Sequence, residues 1–139
     1  MRKYRGKIIN SESYPEINGK WFYGWYKEDL NNGNISGYIF NCPNEFEVDI
    51  KTVGQETSLK DKNGKEIYEG DILSDWTETD EGKIQSKCQV YFCERAGQWA
   101  LDMSFRQDKT QGTPLWKELA DFDYEITGNI HDSKEQKHS

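Results

Sequence analysis

The side chains that could do chemistry in this sequence are carboxylates between 61 and 71, the cysteines and histidines, and lysines beside a tyrosine. Asp61-Lys62-Asn63-Gly64 has the look of the middle of a calcium-binding hand, whose loop needs carboxylates at both ends of a central glycine. With Gly64 as that glycine, Leu59 stands where the first carboxylate belongs and Gly70 where the bidentate Glu belongs. Both ends fail, and the segment reads as a hairpin turn. Glu66, Glu69 and Asp71 crowd one bend, and paired acids do acid–base work when burial raises one of them. An acidic chain also sets carboxylates side by side by chance, and Asp71, just before an apolar strand, reads as an acceptor for backbone N–H groups. Cys88 and Cys93 lie at an odd separation on one predicted strand and point to opposite faces, so they neither bridge nor chelate together. Cys88 reads as a small core residue. His131 and His138 have no nucleophile near them in sequence, and no glycine-rich phosphate loop is present. The expectation is no catalytic residue, no metal ligand and no cofactor.

Two clusters remain as binding candidates. Lys60, Lys62 and Lys65 form the densest basic group, with Tyr68 as a stacking surface, a pairing that small barrels use on nucleic acid. The same lysines discourage strand-to-strand aggregation at a sheet edge, and this reading is favoured, since three lysines do not dominate an acidic background. The stretch Trp21-Phe22-Tyr23-Gly24-Trp25-Tyr26 is the most unusual feature. Rings on both of its faces require both to be covered. One closes a core; the other is either packed under loops or buried against a second subunit, with Trp21, Tyr23 and Trp25 as the candidate self-association surface.

Composition sets the frame for these sites. The 139 residues carry a net charge of −7, with 34% hydrophobic and 14% aromatic residues. A few large rings thus replace many aliphatic side chains in a thin core, and a thin core favours oligomers. The acidic balance lowers the prior for nucleic acid, which selects a basic face. No stretch is long and apolar enough to cross a bilayer, MRKYRGKIIN lacks the apolar run of a signal peptide, and Cys42, Cys88 and Cys93 are odd in number. The expected setting is a reducing bacterial cytoplasm, without membrane contact.

Period-two patterning predicts the elements that position these residues. Asn18-Gly19 turns into the aromatic strand, Asn32-Gly33 turns out of it, and Ile35–Phe40 returns with Tyr38 and Phe40 opposite Ile35 and Ile39. Phe46, Val48 and Ile50 alternate, and Asp49 caps a helical turn through Thr52 and Val53. Asn63-Gly64 is the strongest short hairpin signal, read as a type I′ turn. Ile72–Thr77 is a strand, Glu78–Gly82 a loop, and Lys83–Glu94 pairs with Gln98–Phe105 across Arg95-Ala96-Gly97. Arg106–Thr113 is a loop, Leu115, Trp116, Leu119 and Phe122 have helical spacing, and Tyr124–Ile130 is the closing strand.

LKDKNGKEIYEGDIL (Leu59–Leu73) closely resembles the signature of the YopX family of bacteriophage and prophage proteins. Tyr4–Lys7, Gly19–Tyr26, Val48–Gln55 and Tyr124–Ser133 resemble further family segments in the same order. The resemblance implies an aromatic-rich, irregular β N-terminal lobe over residues 1–56 and an SH3-like small barrel over 57–131; the charged stretch 132–139 reads as a disordered tail. It also implies expression in a bacterial host cell, and no reaction. Where the family has Thr-Gly-Leu, this chain has Thr57-Ser58-Leu59, which puts Ser58 where positive φ is expected. The expected fold is mainly β with a minor helix. The expected function is a phage accessory protein that binds or assembles rather than catalyses, a homo-oligomer with room for a host or phage protein partner. The alternatives are a nucleic-acid-binding barrel using Lys60, Lys62, Lys65 and Tyr68, or an enzyme whose site forms across an oligomer interface.

Overall fold

Alternating rings and a two-residue turn dictate the first half of the chain. In the computed structural model residues 3–102 and 113–132 are described, with the backbone alone at 77–79 and 84–85. Met103, Phe105, most of the Arg106–Thr113 loop, His138 and nearly all of the 132–139 tail lie outside the described residues. Two antiparallel sheets and one short helix make the fold mainly β. The contacts divide the chain into Met1–Glu56 and Thr57–Ser139.

In the first unit the strands are β1 (Tyr4–Lys7), β2 (Trp21–Asn31), β3 (Asn34–Asn41), β4 (Asn44–Val48) and the start of β5 (Gly54–Lys60), in the order β4-β3-β2-β1-β5. Asn32 (φ 51°) and Gly33 (φ 82°) make the type I′ turn between β2 and β3 and fix the register at Asn31 opposite Asn34. Trp25 therefore faces Phe40, and Lys27 faces Tyr38. Phe22, Tyr26, Ile39, Phe46 and Val48 share one face, with Ile8, Ile39 and Val48 fully buried there. Phe22 meets Phe46 edge-on at 5.0 Å between ring centres, and Tyr4 meets Tyr26 at 5.7 Å. Gly37 makes this packing feasible. A Cβ there would sit 2.8 Å from the Tyr26 hydroxyl oxygen and 2.9 Å from its ring. The helical turn at Ile50–Thr52 is capped by Asp49, whose carboxylate accepts from Lys51 N at 3.1 Å.

In the second unit the end of β5 pairs with β6 (Glu66–Tyr68). A five-stranded sheet follows in the order β10-β9-β8-β7-β11, from β7 (Asp71–Thr79), β8 (Gly82–Cys93), β9 (Gln98–Asp102), β10 (Thr113–Pro114) and β11 (Glu125–Asn129). Ile67, Leu73, Cys88, Val90, Trp99, Leu101, Leu115 and Tyr124 form its core, with Leu59, Leu119 and Ile126 against them.

Three expectations change. The SH3-like barrel expected over 57–131 is not closed among the described residues: β10 and β11 stand as sheet edges, and the outer half of the β7–β8 ribbon pairs with itself alone. The loop read at Glu78–Gly82 shrinks to Asp80-Glu81, because the ladder continues to Thr79 opposite Gly82. The Asn63-Gly64 turn is not type I′. Gly64 alone has positive φ (82°), while Gly64 N donates to Asp61 O at 3.0 Å and Asp61 N to Lys65 O at 2.9 Å. That is a type I turn closed by a left-handed glycine. The short helix expected here is present as α1 (Leu115–Asp121); it buries Leu115 and Glu118 and leaves Trp116 and Phe122 exposed.

Candidate functional site

The face of the first sheet opposite its core carries the candidate surface. Strand alternation sends Trp21, Tyr23 and Trp25 of β2 to that side, and the register adds Tyr38 and Phe40 of β3. Trp25 is 43% exposed, Tyr23 40% and Phe40 39%. The open face of β2 is thus the one bearing the candidate self-association residues. Trp21 is half-buried, since the Arg5 guanidinium lies 4.6 Å from its ring centre and the Lys7 ammonium 5.4 Å. Such stacking holds the two cations against the half-buried indole.

Charge on this face is sorted across the strands. Arg5 and Lys7 belong to β1 and Lys27 to β2, whereas Glu45 and Glu47 belong to β4. Lys27 sits 5.8 Å from the Tyr38 ring centre and forms an ion pair with Glu45 at 3.2 Å. A shallow hollow of about 290 Å³ opens between Trp25, Tyr26, Lys27, Phe40 and Glu45. Such a hollow, mostly apolar with a charged rim, suits an inserted ring or aliphatic side chain. The Tyr26 hydroxyl donates to Glu28 at 2.8 Å, and burial first, then that carboxylate, raises its pKa above the ordinary value.

The other sequence candidates are not assembled into a site. Lys60, Lys62 and Lys65 are exposed, but Tyr68 is only 5% exposed, so its ring offers no stacking face beside them. Glu66 accepts from the Tyr68 hydroxyl at 3.5 Å and Asp71 from Tyr68 N at 2.8 Å, which makes them turn supports rather than an acid pair. Cys88 is buried, its thiol donating to the Tyr124 hydroxyl at 3.9 Å, while Cys93 is half-exposed. Tyr124 in turn donates to the buried Glu118 carboxylate at 2.9 Å; its pKa is raised by burial, then by Cys88 and Glu118. His131 sits half-buried in the closing turn, its amide donating to Asn129 Oδ1 at 2.9 Å. Among the described residues no cluster of His, Cys, Asp or Glu could hold a metal ion.

Several polar positions of the segment Leu59–Leu73 have a structural account. Asp61 is 7% exposed, and its carboxylate accepts from Asn63 N and Lys65 N at 2.9 Å and from Ile126 N on β11 at 3.0 Å. Gly70 N donates to Val90 O, and Gly70 O accepts from Ile130 N, both at 2.9 Å. Asn129 then closes the chain, accepting from His131 N and Asp132 N. The profile of the YopX protein family matches residues 3–136. The chain belongs to the YopX family. No curated protein matches it significantly.

In this YopX chain the Leu59–Leu73 segment supplies turn and inter-strand hydrogen bonds. The missed surface residues are Tyr38, Phe40 and Glu45. A two-residue turn at Asn32-Gly33 already sets Trp25 opposite Phe40, so the alternation of β3 joined to that turn would have found them.

Proposed function

We propose that this protein acts by binding rather than catalysis, and that it self-associates through the aromatic face of β1–β4. The observation that carries this reading is the contiguous, exposed trio Tyr23, Trp25 and Phe40 on a sheet whose opposite face already holds the unit's core. Exposed Trp, Tyr and Phe side chains are the residue types enriched at protein interfaces, with Trp and Tyr the commonest anchors. Membership of the YopX family supports reading it as a phage or prophage accessory protein working in the bacterial host cytoplasm. For the second unit we keep the reading of an opened SH3-like arrangement, supported by Leu59 and Ile67 of the β5–β6 pair packing on the core of the five-stranded sheet.

Light scattering after size exclusion tests the proposal at micromolar concentration. The wild-type chain should run as an oligomer, and Trp25→Glu should weaken association about a hundredfold, as expected for an interface anchor. A clean wild-type monomer, or an oligomer indifferent to Trp25→Glu, removes the self-association claim.

A further inference from the structure

The charge sorting on the aromatic face specifies how two copies meet. Along one row of the sheet the register places Trp25 opposite Phe40 and Phe40 opposite Glu45. Tyr4 is opposite Gly24, so Lys3, one residue earlier, stands next to Trp25 at the other end of that row. The row reads cation, ring, ring, anion from the residue before β1 across β2, β3 and β4. The next row repeats the order with Lys27, Tyr38 and Glu47. Lys3 and Glu45 are both exposed.

We infer that the partner of this face is a second copy of the chain, related by a two-fold axis parallel to the strands and passing between β2 and β3. The inference rests on the binding reading above and adds its geometry. Rotation about that axis exchanges β1 with β4 and β2 with β3 while keeping each row at its own height. Lys3 then joins the partner's Lys27–Glu45 ion pair, Trp25 meets the partner's Phe40, and Lys27 comes over the partner's Tyr38. Each protomer's hollow beside Trp25, Phe40 and Glu45 receives a ring from the other. An axis in the sheet plane but perpendicular to the strands would instead set β4 on β4, bringing Glu45 and Glu47 against the partner's Glu45 and Glu47. Like charges face to face select against that arrangement. The favoured geometry also keeps the strand directions aligned, as stacked sheets prefer, and it is isologous, so every contact occurs twice.

The test uses Lys3→Glu and Glu45→Lys on the full chain, with sedimentation and native mass spectrometry. Each single variant turns both copies of one rim contact repulsive, and its self-association should weaken about tenfold. Mixing the two variants, one isotope-labelled, restores Lys–Glu pairing at both ends of the row, so the heterodimer should form preferentially with near wild-type affinity. If neither variant changes association, or the mixture gives no heterodimer excess, while Trp25→Glu still disrupts the wild-type oligomer, the two-fold geometry is overturned and the aromatic interface stands. If Trp25→Glu is also without effect, both readings fall together.

Discussion

Removing the Asp61 carboxylate is the sharpest test of how the family signature works. Asp61 is buried and accepts three backbone N–H groups, two inside its own turn and one from Ile126 on the last strand. A hydrogen bond to a charged acceptor contributes about 1.5–3 kcal/mol. Asn63 and Lys65 are exposed, so their amides regain water when the acceptor goes, while the half-buried Ile126 amide is left less well satisfied. Asp61→Ala should therefore cost about 3–4 kcal/mol, a large share of the ~5–15 kcal/mol that holds a domain. Asp61→Asn keeps an oxygen for the turn but sets an NH₂ against the Ile126 N–H, and should cost about 2 kcal/mol. Urea unfolding followed by circular dichroism gives the ranking wild type, Asn, Ala. Hydrogen exchange by NMR should show the Ile126 amide losing protection in both variants. If Asp61→Ala lies within about 0.5 kcal/mol of wild type, or Ile126 stays protected, the carboxylate does not couple the turn to β11.

Three other expectations follow from single residues. Ser58 has φ 70° and is exposed; Ser58→Val should cost about 1–2 kcal/mol while Ser58→Gly is neutral or stabilising, measured by thermal unfolding. Gly37→Ala drives a methyl into the Tyr26 ring and should cost about 1–3 kcal/mol by overpacking, with loss of the Tyr26 amide and ring signals as the readout. Tyr26 and Tyr124 have pKa values raised above 10.0, by burial first. Their contribution to stability is intact below pH 10.0 and falls as pH rises beyond it, because the unfolded phenols release protons that the folded ones retain. Phenolate absorbance should lag behind that of the exposed tyrosines until the chain unfolds.

The sequence exposed the ladder of this fold better than its turns and surfaces. Asn32-Gly33 and Asn63-Gly64 are the same dipeptide, yet only the first takes two positive φ angles. Asp61 decides the difference, since its carboxylate bonds Asn63 N and Lys65 N in the type I geometry. The polar run at 78–82 hid the tip of a hairpin because its strands are held by partners across the ladder rather than by local preference. Which face of β2 is open was not readable from rings alone, as both faces carry them. The glycines carried the signal: Gly6, Gly24 and Gly37 all lie on the face of Phe22 and Tyr26, where packing is tight. Tyr68 was misplaced because its neighbours in sequence are solvated lysines, whereas its strand turns it inward.

The bond from Ile126 N to Asp61 spans 65 positions of sequence. During synthesis the second unit's first hairpin must therefore wait, its turn carboxylate incompletely satisfied, until the last strand has left the ribosome. The β2–β3 and β3–β4 hairpins need only their two-residue turns. Low contact order favours early closure there and late closure at Asp61. The Asp61 turn thus gains its third hydrogen bond only when β11 is in place.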